Sequence, residues 1–86
     1  MEFVKAVYAE YASTVGGQIA EAEAAAAAGE WSTLDKVAHA IKGNALTVGD
    51  QLMGDAAIEL RSVALLQDHG GADRLVSEMK SLAAEL

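Results

Sequence analysis

The chain has no cysteine, no proline and, among 86 residues, one Trp, two Tyr and one Phe. Without cysteine, neither a disulfide framework nor a thiolate metal site can hold it together, which suits a reducing compartment. Without proline, nothing interrupts long helices. Positive charge is also scarce: six Lys and Arg stand against 13 Asp and Glu, for a formal net charge of −7. So few cations exclude nucleic acid as the expected partner, because phosphates are met by clustered Lys and Arg. The same balance argues against an anionic membrane surface. No apolar run approaches the ~20 residues of a membrane span, and the N-terminus lacks the basic-then-apolar pattern of a signal peptide. The expectation is a cytoplasmic protein with one domain over residues 1–86 and a modest core.

What the chain does have is alanine and helical periodicity. Four segments repeat apolar residues at i, i+3, i+4 and i+7, and no alternating pattern competes. The first runs from about Glu2 to Ala28 through Val4, Val7, Tyr8, Tyr11, Val15 and Ile19. Gly16-Gly17 lies inside it and leaves a kink or break open, since each glycine costs about 1 kcal/mol relative to alanine. Gly29 is a natural stop. The second segment starts near Trp31-Ser32, where Ser32 and Asp35 make a capping-box-like pair. Its stripe is Leu34, Val37, Ala38, Ile41, Ala45 and Val48, and Gly49 ends it. Asp50 caps the third segment, about Gln51 to Asp68, whose inner face is read as Leu52, Met53, Ala56, Leu60, Val63 and Ala64. His69-Gly70-Gly71 reads as the next turn, with His69 at a helix C-terminus. The last segment, about Ala72 to Glu85, carries Leu75, Val76, Met79, Leu82, Ala83 and, beyond it, Leu86. Very short turns between four amphipathic helices predict an all-α, antiparallel up-down four-helix bundle.

The second segment holds the chemistry. With Leu34 at zero and 100° per residue, His39 falls near ~140°, Lys42 near ~80° and Gly43 near ~180°. His39 therefore stands outside the apolar stripe, with Lys42 at the flank of the same surface. A neutral imidazole is a nucleophile near neutrality, its ordinary pKa being about 6.5. A cation one turn on would offset an anionic group carried on that ring. Gly43 sits mid-helix, where glycine is unfavourable by about 1 kcal/mol, and leaves room beside the histidine. A broken local rule next to a nucleophile is the kind of inconsistency functional sites show. An idle surface histidine is the alternative reading. No paired acid–base set, phosphate loop or metal cluster points to an enzyme, and His39 with His69 have no ligand spacing for a metal.

These residues resemble the histidine-containing phosphotransfer family. Its signature is an Ala-His pair, a Lys-Gly pair starting three residues after the histidine, and a glycine six residues after the first. Ala38-His39, Lys42-Gly43 and Gly49 stand in that spacing. Gly29-Glu30-Trp31 is similar to the family's turn before the histidine helix, Tyr11 to its aromatic in the preceding helix, and Met53, Ala56 and Leu60 to its third-helix pattern. The resemblance implies a phosphorelay carrier without turnover of its own. His39 would take a phosphoryl group on its outer ring nitrogen from a receiver aspartate or a histidine kinase, hybrid or not, and pass it to a receiver aspartate of a response regulator. Lys42 would stabilise the phosphoryl group and Gly43 would keep the approach open. Mg²⁺ would belong to the partner receiver alone, so no cofactor or metal is expected here. A non-transferring helical adaptor or inhibitor that binds a receiver or kinase is the alternative.

Two positions depart from the pattern: Asn44 follows the glycine, and Arg61 stands where an acidic residue is common. Both are expected to bear on partner choice, not on the chemistry. Leu46, near ~120° on the same wheel, is a candidate for the docking surface, together with Asp35 and Asn44. A monomer is expected, with self-association through Ile58 and Leu65 left open. Trp31 is expected to cap the bundle end.

Overall fold

The computed structural model describes residues 2–85, with side chains described for residues 9–85. Val4, Val7, Tyr8 and Leu86 therefore lie outside the described side chains. Four helices follow one another: α1 (Glu2–Ala28), α2 (Trp31–Thr47), α3 (Gln51–Leu66) and α4 (His69–Ala84). Each packs on its chain neighbours, and α4 returns to α1, which closes a four-helix bundle. Side chains tie neighbours across the first two turns in the order antiparallel helices require. Asn44 reaches back to Gln18, and Arg61 to Asp35. The Trp31 and His69 rings, at the starts of α2 and α4, meet at one end of the bundle. The molecule measures 42 × 17 × 17 Å. Its long axis matches the 27 residues of α1, about 40 Å at 1.5 Å per residue.

One backbone device makes all three turns. Gly29 N–H donates to the Ala26 carbonyl and Glu30 N–H to that of Ala25. Gly49 and Asp50 repeat this on Leu46 and Ala45, and Gln67 and Asp68 on Ala64 and Val63. Such paired bonds satisfy the last carbonyls of a helix and require a left-handed residue at the turn. Gly29 and Gly49 supply it with φ of 70° and 78°, and Gln67 adopts it at 54° without being glycine. The following residue then starts the next helix. Asp50 caps α3 by accepting from Met53 N–H, and Asp68 caps α4 by accepting from Gly71 N–H. Because each connection is so short, neighbouring helices must run antiparallel.

The core is narrow and rich in alanine. Leu34, Ala38, Ile41 and Ala45 of α2 meet Met53, Ala57, Leu60 and Ala64 of α3, with Val15, Ile19, Ala22 and Ala26 from α1. Ala72, Leu75, Val76 and Met79 complete it from α4. Small side chains at these contacts let the helix axes approach to roughly 8 Å. Gly54 is buried, and a Cβ there would stand 3.1 Å from Leu46 Cδ2. No described buried residue is polar or charged.

One open question is answered and three expectations are corrected. Gly16-Gly17 does not break α1, which is continuous; both positions are exposed and make no demand on packing. Ser32 does not cap α2. The cap position is Glu30, without a side-chain bond, and Asp35 turns to Arg61 instead. His69-Gly70-Gly71 is not a turn. Asp68 starts α4 one residue earlier, so His69 opens a helix and does not close one. Leu52 is 66% exposed, because the buried series begins one residue later, at Met53, and a single step along a helix turns a side chain by about 100°.

Candidate functional site

The buried stripe of α2 sets the direction of everything else on that helix. With Ala38 fully buried, His39 is turned outward on the side of α3 and is exposed. Across from it, Leu60 is buried and the next residue, Arg61, leans over the α2–α3 seam. Arg61 Nε donates to Asp35 Oδ1 at 3.0 Å, and its Nη1 lies 3.1 Å from His39 Nδ1. A guanidinium only donates, so the lone pair in the second bond comes from Nδ1. Among the described residues, nothing bonds the other ring nitrogen, Nε2. The Arg61–Asp35 pair is part-exposed, with side chains 39% and 46% accessible; solvent screening limits such a pair to about 1 kcal/mol.

Lys42 stands one turn beyond His39, half-buried, and among the described residues no hydrogen bond or ion pair engages its ammonium. With Asp35, Arg61, Ile58, Leu65 and Trp31 it lines a groove of about 640 Å³ between α2 and α3. Gly43 opens onto free space, since a Cβ there would meet nothing within 4 Å. Its carbonyl accepts from Thr47 Oγ1 at 2.8 Å. Leu46 is 46% exposed. It does two things at once, resting one methyl against Gly54 and offering the rest to solvent.

A family model described as "Hpt domain" matches residues 6–86. The chain belongs to the Hpt domain family. No match was found among curated proteins or among solved structures. Membership gives the chain a histidine phosphotransfer role in two-component signalling. Hpt domains are phosphocarriers rather than enzymes, and they interact with receiver domains and histidine kinases.

On this Hpt domain the structure gathers Asp35, His39, Lys42 and Leu46 along one side of α2, facing α3. Asn44 is not among them. Its Nδ2 donates to Gln18 Oε1 at 3.1 Å on the α1 side, so it joins helices on the opposite flank. Arg61, expected to stand apart from the chemistry, touches the histidine itself. The available signal was a cation one step past a buried leucine on the neighbouring helix. Sequence alone could not say which α2 residue it would reach. Gly54 was also missed; only the packing of α2 on α3 shows that Leu46 needs its missing side chain. His69 keeps a structural place, its ring 4.7 Å from that of Trp31 in an edge contact. Among the described residues no three His, Cys, Asp or Glu side chains gather to hold a metal ion, and no helix is long and apolar enough to cross a membrane.

Proposed function

We propose that His39 is the phosphoacceptor of this Hpt domain, and that it relays a phosphoryl group between receiver aspartates or from a kinase to a receiver. The observation that carries this reading is the exposed His39 ring with Nε2 unengaged, one turn from an unpaired Lys42 and beside the open Gly43. In the accepting step the Nε2 lone pair attacks phosphorus. The Nε2–P bond forms, the P–O bond of an aspartyl phosphate breaks, and its electron pair returns to the carboxylate. The new group brings about two negative charges. The Lys42 ammonium meets them with a charge-assisted hydrogen bond. Any Mg²⁺ in the reaction sits with the partner's phosphoryl group.

The partner docks over the α2–α3 side, with Leu46 as its apolar contact and Asp35 at its polar edge. Ile58 and Leu65 extend the apolar part along the groove. An apolar centre with a polar rim is the usual make-up of such interfaces. The test is to mix the protein with a phosphorylated receiver. The expected result is a mass gain of one phosphate that is acid-labile and alkali-stable, and absent from His39→Gln. A gain that persists in His39→Gln moves the site elsewhere. No gain from any receiver or kinase supports the adaptor reading.

A further inference from the structure

The hydrogen bond between Arg61 and His39 points the wrong way for a histidine about to accept phosphate. In a neutral imidazole one nitrogen carries the proton and the other the lone pair. Arg61 Nη1 lies 3.1 Å from Nδ1 and can only donate, so Nδ1 holds the lone pair and the proton sits on Nε2. Nε2 then has no in-plane pair to offer phosphorus. Asp35 holds the guanidinium in this place through Nε, at 3.0 Å. Lys36 and Lys42, three residues before and after His39, are the other charged groups within one turn of it on α2.

We infer that Arg61 is a positioning residue that latches Nδ1 of His39, holding the ring in its resting tautomer before transfer and holding the phosphohistidine inert after it. The inference rests on the phosphocarrier reading above. To accept, the ring must carry its proton on Nδ1. Nδ1–H and Nη1–H would then be two donors face to face, so Arg61 turns aside while keeping Asp35. Nε2 attacks, the Nε2–P bond forms as the donor's P–O bond breaks and its electron pair returns to the donor carboxylate, and the Nδ1 proton passes to water. Nδ1 again has a lone pair, and Arg61 returns to it. In that closed form, breaking the Nε2–P bond would expel an imidazolate anion, a poor leaving group. Onward transfer or hydrolysis requires a proton on Nδ1, so that neutral imidazole leaves. The same hydrogen bond thus exists in both stable states and is absent from both reactive ones. A docking partner with a carboxylate for the guanidinium would open the latch.

The test uses the full chain labelled with ¹⁵N-histidine, with His69→Gln to remove the second set of signals. The unmodified protein should show Nδ1 of neutral His39 as the unprotonated nitrogen. Arg61→Met keeps the side-chain length and removes the donor. It should introduce a measurable share of the Nδ1–H tautomer. It should also shorten the partner-free lifetime of the phosphohistidine at neutral pH by roughly three- to tenfold, the scale of one ordinary net hydrogen bond. Asp35→Asn, which loosens the anchor, should move both readouts the same way by less. A merely structural Arg61 would leave tautomer and lifetime where they were. Phosphohistidine that forms normally, with tautomer and lifetime unchanged in Arg61→Met, overturns the latch alone. A proton found on Nδ1 in the resting protein does the same. Failure of the unmodified protein to form phosphohistidine overturns the carrier reading and the latch together.

Discussion

Two aspartates bridge helices in this molecule, and they do so in opposite ways. Asp50 uses both carboxylate oxygens: Oδ1 accepts from Met53 N–H to start α3, and Oδ2 accepts from the hydroxyl of buried Tyr11 at 2.9 Å. Asp35 meets Arg61 through one oxygen, in a pair open to solvent, and the far side of that arginine touches His39. Removing a partner from a buried, satisfied group leaves a desolvated donor behind. Rearranging an exposed ion pair costs little. The first arrangement holds α1 and α3 in place, and the second lies open to solvent beside the histidine. Asp50 thus serves the contact of α1 with α3, and Asp35 the α2–α3 seam beside His39.

The largest effect tests the frame that both aspartates depend on. Leu60→Ala empties a fully buried site on α3 and should cost about 2–5 kcal/mol, read by urea unfolding. Both ends of the α2–α3 pair should loosen together. Next, Asp50→Ala should cost about 2 kcal/mol through the lost cap and the lost hydrogen bond from the Tyr11 hydroxyl. Phosphotransfer should survive wherever the variant remains folded. Asp35→Ala should cost no more than about 1 kcal/mol. Equal losses at the two aspartates would break the comparison. Lys42→Ala sharpens it from the chemical side. Transfer should slow by about tenfold, the loss of one charge-assisted hydrogen bond, with circular dichroism and melting unchanged. An unchanged rate removes Lys42 from the mechanism. The smallest effect belongs to Gly43→Ala. With nothing within 4 Å of the new Cβ, it should stabilise the free domain by up to about 1 kcal/mol while slowing transfer. Higher stability with full transfer activity would count against an access role.

Much of this was legible in the sequence because it depends on local rules. Helical spacing placed the four elements, Gly29 and Gly49 marked two turns, and Asp50 announced its cap. The third turn was misread because its left-handed residue is Gln67, while two glycines sit just beyond it and drew the boundary to themselves. The Ser32–Asp35 pairing was a sound local expectation that a long-range partner overrode, since Arg61 offers Asp35 a charged donor. Leu52 went wrong by one position, which on a helix is enough to change faces. The histidine, lysine and glycine of α2 were found by spacing on one helix. Arg61 was not, because its role depends on how α3 lies against α2, and that distance is a property of the packed bundle.

In the proposed relay the exposed side of α2 carries the phosphoryl group on one atom, Nε2 of His39. Phosphorus–nitrogen coupling in the phosphorylated, ¹⁵N-labelled protein tests it most directly. Coupling is expected to Nε2 of His39 alone, with His69 unmodified. Phosphorus bonded to Nδ1, to His69 or to any carboxylate would contradict it.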